Sequence, residues 1–139
     1  MGGSGGSHNY GVRNLGTTTS GGGSVTVEGT GGSGSGNNYG VYTDGTITSG
    51  DTGNVFVTGT GGSGGNQNRG VHNDGTVSSL GSGDVTVAGT GAAGSDAIYL
   101  FDNSFITAPG ALTLTSNGGA INQVGGTITV DGATTLKVL

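Results

Sequence analysis

Apolar and polar residues alternate along this chain in short runs that recur at a nearly constant interval. The clearest runs are Val25-Thr26-Val27, Val55-Phe56-Val57 and Val85-Thr86-Val87. A period of two puts the valines on one face and the intervening residue on the other, which is the signature of a half-buried strand. No window shows the 3.6-residue period of an amphipathic helix, and glycine is too frequent for one. The pattern predicts an all-β chain of short strands separated by turns.

The runs belong to an internal repeat. Residues 2–30, 31–60 and 61–90 align with one gap. Each unit opens on a turn-rich stretch: GGSGGSHNY, GGSGSGNNY or GGSGGNQNR. Each continues as GVRNLGTTTS, GVYTDGTITS or GVHNDGTVSS, and closes on SVTVEGT, NVFVTGT or DVTVAGT. Residues 91–118 keep the pattern loosely, and 119–139 read as a shorter final coil. The whole of 1–139 is thus read as one domain with a repeat of about 30 residues, each unit carrying three strands. The first centres on Val12, Val41 and Val71. The second centres on Thr18, Ile47 and Val77, and the third on Val25/Val27, Val55/Val57 and Val85/Val87. Glycines 11, 40 and 70, 16, 45 and 75, and 29, 59 and 89 recur at equivalent places. They are expected to supply the positive φ or tight corners where a coil turns.

One unit has too little apolar surface to form a core. Stacking coil on coil solves this, because each strand pairs in register with its equivalent one unit away and the valines line up in columns. At roughly 4.8 Å per rung, four to five coils give a stub roughly 20–25 Å tall. Such stacking also predicts side-chain ladders. Asn9, Asn38 and Asn68 would bond one to the next, as amide ladders do. Tyr10 and Tyr39 would stack, capped by Arg69. Thr17 and Thr19, Thr46 and Thr48, and Thr76 and Ser78 would form an outward hydroxyl ribbon. On another face Thr26, Phe56 and Thr86 line up, with Phe56 interrupting the threonines.

Composition sharpens this picture. Gly contributes 36 of 139 residues, and only 29% are hydrophobic and 8% charged. Such values suit a flexible linker, but ordered V-x-V triplets and a single Pro argue that the glycine serves turns. The net charge is −5, with Arg13, Arg69 and Lys137 the only basic residues, so no basic patch for nucleic acid can be built. No apolar run approaches the ~20 residues of a membrane-spanning helix. The absence of Cys removes disulfides and zinc–thiolate sites. Met1 runs straight into Gly2-Gly3-Ser4 with no signal peptide, which suggests a piece of something longer.

The stretches GVYTDGTITSGDTGNVFVTGTGG and LTLTSNGGAINQVGGTITVDGATTLKV resemble the repeats of filamentous-haemagglutinin-like and related bacterial β-strand-repeat surface proteins. The resemblance covers most of the chain and is clearest over 31–90 and 111–139. It implies a right-handed parallel β-helix, or β-solenoid, and export to the cell surface or the extracellular space. It further implies a role as the shaft of an adhesin or surface fibre. The chain departs from that pattern in lacking the N-terminal secretion domain, and its first three coils are longer than the tail coil.

Residues with chemistry are few. Calcium-binding nonapeptide repeats need Asp where GGSGSGNNY and GGSGGNQNR carry Gly and Asn, so that motif is absent. Asp44 and Asp74 align on successive coils and are the weak candidates for a cation such as calcium, against the plainer reading of two solvated carboxylates. No other cofactor is indicated. His8 and His72 occupy different places in the repeat and read as surface residues. No nucleophile–base pair or paired acids can be named, so an enzyme is not expected. Two binding alternatives stand beside the structural reading. The threonine ribbon has the look of an ice-binding β-solenoid, and Tyr39, Tyr42 and Phe56 offer stacking surface to a host-cell or surface glycan. No cap is legible at either end, so the chain is expected either to stack end to end on copies of itself into a filament or to be a fragment of a longer solenoid.

Overall fold

The computed structural model describes residues 1–139, with fifteen strands and no helix. The first coil carries β1 (Val12–Asn14), β2 (Thr17–Thr19) and β3 (Val25–Thr30). The second carries β4 (Val41–Thr43), β5 (Thr46–Thr48) and β6 (Val55–Thr60), and the third β7 (Val71–Asn73), β8 (Thr76–Ser78) and β9 (Val85–Thr90). β10 (Ile98–Leu100), β11 (Phe105–Ala108) and β12 (Leu112–Ser116) follow in the fourth. The last coil holds β13 (Ile121–Gln123), β14 (Thr127–Val130) and β15 (Thr134–Val138).

Every strand pairs only with its equivalents one coil away, in parallel. The result is three five-stranded sheets, ordered β1-β4-β7-β10-β13, β2-β5-β8-β11-β14 and β3-β6-β9-β12-β15. This is the β-solenoid predicted from the repeat. The register follows the repeat alignment: Val12 lies beside Val41 and Val41 beside Val71, while Val55 lies between Val25 and Val85. A one-residue slip would turn every valine outward, so the buried face dictates this register.

The interior is a set of columns. Val41, Val71 and Ile98 fill one, Ile47, Val77 and Ile106 another, and Val57, Val87 and Leu114 a third, all buried in one cluster of 15 residues. The middle coils are sealed, while Val12, Ile121 and Ile128 at the two ends are only partly buried. Small polar residues share the interior of the early coils. Asn14, Thr43 and Asn73 stand where the fourth coil has Leu100. Ser49 and Ser79 are buried and donate to the carbonyls of Gly53 and Gly83, so each hydroxyl closes the turn leading to the third strand of its coil.

Of the two roles expected of the recurring glycines, positive φ and tight corners, the first is not the one they serve. None of Gly11, Gly40, Gly70, Gly29, Gly59 or Gly89 has positive φ. They are there for space. A Cβ on Gly59 would lie 2.1 Å from the carbonyl oxygen of Gly70, and one on Gly89 2.0 Å from that of Ala97. The end of each third-sheet strand therefore packs backbone against backbone on the start of the first-sheet strand in the next coil. Positive φ falls instead in the Gly/Ser loops, as at Gly5 and Gly64, and at His8, Asn37 and Gln67. Those three side-chain residues each directly precede a ladder asparagine.

Candidate functional site

The solenoid presents three outward faces, and its uncommon side chains are sorted among them. The outer face of the first sheet carries two files. One runs Arg13–Tyr42–His72–Tyr99 by strict strand register. The other, two residues before the start of each strand, holds Tyr10, Tyr39, Arg69 and Asp96. All four tyrosines and both histidines of the chain gather here.

The rings contact each other continuously. Tyr10 stacks on Tyr39 at 5.2 Å and on Tyr42 at 5.3 Å, and His72 meets Tyr39, Tyr42, Tyr99 and Phe101. Arg69 organises the centre. Its guanidinium carbon lies 3.6 Å from the centre of the Tyr99 ring and 5.7 Å from that of Tyr39. Its Nε pairs with Asp96 at 3.4 Å, and its Nη1 donates to His72 Nδ1 at 3.0 Å. The stacking of Tyr10 on Tyr39 below Arg69 was legible in the repeat. The tighter contact with Tyr99 was not, because the fourth coil aligns only loosely.

His72 corrects the sequence reading of a surface histidine. Half-buried among rings, its pKa is pulled down to about 4, first by burial and then by the adjacent Arg69 charge. It is neutral at physiological pH, with Nδ1 free to accept from Arg69. Burial also raises the phenols of Tyr10, Tyr39 and Tyr42 above their ordinary value. The face is accordingly polar yet almost uncharged at its centre, since the one charge of Arg69 is matched by Asp96.

The outer face of the second sheet carries hydroxyls. By register, one file runs Thr17–Thr46–Thr76–Phe105–Thr127 and the other Thr19–Thr48–Ser78–Thr107–Thr129. The repeat alignment found three of these rungs, and the structure adds two. Phe105-Ile106-Thr107 keeps the interval of the earlier coils but has Phe in place of the first Thr, whereas Thr127-Ile128-Thr129 is a clear triplet displaced from the 30-residue spacing by the shorter last coil. One position is a correction: Ser78 is only 9% exposed and donates to Thr48 Oγ1 at 3.0 Å, so it is less outward than the ribbon predicted. The third sheet's outer file runs Thr26–Phe56–Thr86–Thr113–Thr135, with Phe56 exposed.

The asparagine ladder runs along the corner before the first sheet. Asn9 donates to Asn38 Oδ1 from both its backbone N–H and its side-chain amide, at 3.2 and 2.9 Å. Asn38 passes the pattern on through its backbone N–H to Asn68 Oδ1 at 3.1 Å. Its own amide turns instead to the carbonyl of Ser63, 3.0 Å away. In the fourth coil Ser95 takes over as acceptor for Asn68 N–H at 2.9 Å. Asn38 and Asn68 are buried, so these bonds hold the Gly/Ser loops against the stack.

Asp44 is exposed and Asp74 half-buried, each just past its first-sheet strand. Asp74 accepts a weak 3.4 Å bond from the backbone N–H of Asn103. No third carboxylate or histidine gathers with the pair. A depression beside the Gly/Ser loops is lined by Gly2, Gly3, Gly31, Gly32, Gly61 and Gly62 with intervening serines, so it offers backbone groups and hydroxyls. In comparisons with protein-family models, curated proteins and solved structures, none matched this chain.

Proposed function

We propose that this chain is a passive structural segment: the shaft, or a fibre-forming unit, of a secreted bacterial surface protein of adhesin type. The observation that supports the reading is the pairing pattern. Every strand bonds only to its equivalent in the coil above or below, so the structure lengthens by adding coils without changing its cross-section. β1, β2 and β3 stand at one edge of the three sheets and β13, β14 and β15 at the other, each with one side unpaired within the chain. Such edges recruit further strands. The interior columns suit continuation, since Ile121 and Ile128 end two of them half-buried and Leu136 ends a third 66% exposed. The partner in this reading is another copy stacked head to tail, a heterologous and non-closing contact that gives filaments. The reading is non-enzymatic, and it places the chain outside the cell or on its surface.

Negative-stain electron microscopy of the purified chain tests it. Long thin filaments of constant width are the expected result, and uniform small particles at high concentration would remove self-stacking. Repeating the preparation with a calcium chelator checks the weak cation candidates Asp44 and Asp74, which lie in the second and third coils. A joint made by backbone pairing at the end coils persists, and filaments lost on chelation would mean that a bound cation holds the coils themselves.

A second reading, a surface that binds host or surface glycans, draws on the tyrosine-rich face. There the rings turn their faces to one another and to Arg69, which leaves edges and hydroxyls as the groups on offer. A glycan array probed with the chain and with Tyr42→Ala would reveal such binding.

A further inference from the structure

The second sheet's outer face carries a property that the structural reading does not use. We infer that this face binds ice, holding the outermost ordered water of a growing crystal on its two threonine files.

Successive rungs of a parallel sheet are about 4.8 Å apart, and outward residues two apart on one strand are separated by about 6.6 Å. The register therefore sets hydroxyls and methyls on a two-dimensional grid that continues through all five rungs of the sheet. Eight threonines at fixed intervals in two directions repeat one pattern, interrupted only at Phe105 and at the inward-turned Ser78, so the complementary partner is itself periodic. A globular protein without repeats or a flexible chain is not.

The chemistry points to water. Apart from Ser78 and Phe105 the grid is entirely threonine, and no position on it is charged. The Thr48 hydroxyl is engaged within the protein, with Ser49 O and Ser78 Oγ. The other threonine hydroxyls of the grid make no hydrogen bond within the protein, so they are open to solvent partners. Threonine is β-branched and stiff at χ1, so methyl and hydroxyl positions are set before binding and little side-chain freedom is lost on contact. The grid is also backed by solid packing: Ile47, Val77 and Ile106, which alternate with these threonines, are buried to within 1%. The first sheet's face has none of this regularity. The third sheet's face has a file of the same make-up, interrupted by Phe56 as the second sheet's is by Phe105, and a shorter file Thr30–Thr60–Thr90. The file between them, however, carries the charges of Glu28 and Lys137 and the methyl of Ala88.

Thermal hysteresis and ice-recrystallisation inhibition, measured on the full chain, test the assignment. The wild-type chain is expected to open a gap between freezing and melting points and to keep ice grains small. Thr76→Tyr and Thr107→Tyr, in the middle of the grid, are expected to shrink that gap several-fold. Thr86→Tyr and Thr113→Tyr, on the third sheet, are expected to leave it unchanged. Unaltered circular dichroism in the variants shows that they fold. No gap in the wild type, or equal loss in both variant pairs, overturns the inference. Retention on crystalline cellulose without any effect on ice overturns it in favour of an ordered polysaccharide surface. None of these outcomes depends on filament formation, so the structural reading stands or falls separately by microscopy.

Discussion

Arg69 lies with its guanidinium carbon 3.6 Å from the centre of the Tyr99 ring, one coil further along the stack. This contact ties the regular third coil to the divergent fourth, where the loop shortens and the asparagine ladder ends in Ser95. A planar cation half-covered by rings contributes on the order of 1–2 kcal/mol. Its pair with Asp96 is a single 3.4 Å contact between side chains 11% and 22% exposed, and the cost of taking both charges out of water offsets most of its attraction. Arg69→Ala is expected to lower stability by about 1–2 kcal/mol, read as a shift in the urea midpoint. Arg69→Lys keeps the charge but loses the planar stack, and it should recover less than half of that.

His72 gives the chain an acid-sensitive step. Its pKa in the folded state is about 4 against the ordinary 6.5, so below 6.5 the unfolded chain takes up a proton that the folded one refuses. The contribution of a neutral His72 is complete above pH 6.5 and is lost as pH falls through 6.5 towards 4. The loss is at most about 3 kcal/mol by the linkage relation. Urea melts of the wild type and His72→Tyr, compared from pH 7 to pH 4, isolate it. The difference between the two should shift in favour of the variant as pH drops. Arg69→Gln should move the wild-type step to higher pH, because the neighbouring cation is one of its causes.

Gly59 and Gly16 recur at equivalent kinds of position in the sequence, yet their surroundings differ. A Cβ on Gly59 would sit 2.1 Å from the Gly70 carbonyl oxygen, whereas one on Gly16 meets nothing within 4 Å. Gly59→Ala must push two backbones apart and is expected to cost at least about 3 kcal/mol. Gly16→Ala, at a φ that other residues adopt, should be neutral or stabilising by up to about 1 kcal/mol through the unfolded chain. Thermal midpoints of the two variants check the contrast.

Asn73 is the one interior side chain with an unanswered group. It is 1% exposed, its Oδ1 accepts from Gly75 N–H at 3.2 Å, and its Nδ2 has no partner. The preceding coil has Thr43 at this place, and that hydroxyl accepts from Asn14 at 3.0 Å. Replacing a buried amide that lacks a partner by the smaller hydroxyl removes a desolvation cost. Asn73→Thr is expected to raise stability by about 1 kcal/mol. Asn73→Asp, which buries an unpaired charge, should cost about 3 kcal/mol at neutral pH. Chemical denaturation of both variants decides the sign.

The fold was legible because a repeat leaves little else for the chain to do. Val25, Val55 and Val85 recur in the same phase of an alternating run, and only in-register parallel stacking buries all of them at once. The asparagine corner and the stacking of Tyr10 on Tyr39 follow from that register alone. The candidate faces were legible only in part. Thr127 and Thr129 bear the T-x-T signal in their own strand but come too soon after the fourth coil for a 30-residue interval, while at Thr107 the partner position is Phe105 and the signal is hidden. Shorter loops in the last coils change the spacing in the chain without changing the spacing in space.

The sequence by itself therefore determined the strands, their parallel register and the columns of the core, since these depend on nearest neighbours one repeat apart. Tertiary structure alone decided three other matters: which glycines are needed for space, that the threonine grid has five rungs, and that His72 is neutral beneath Arg69. The reason is physical. Those properties depend on the distance between side chains brought together by coils of unequal length, and a linear interval does not carry that distance.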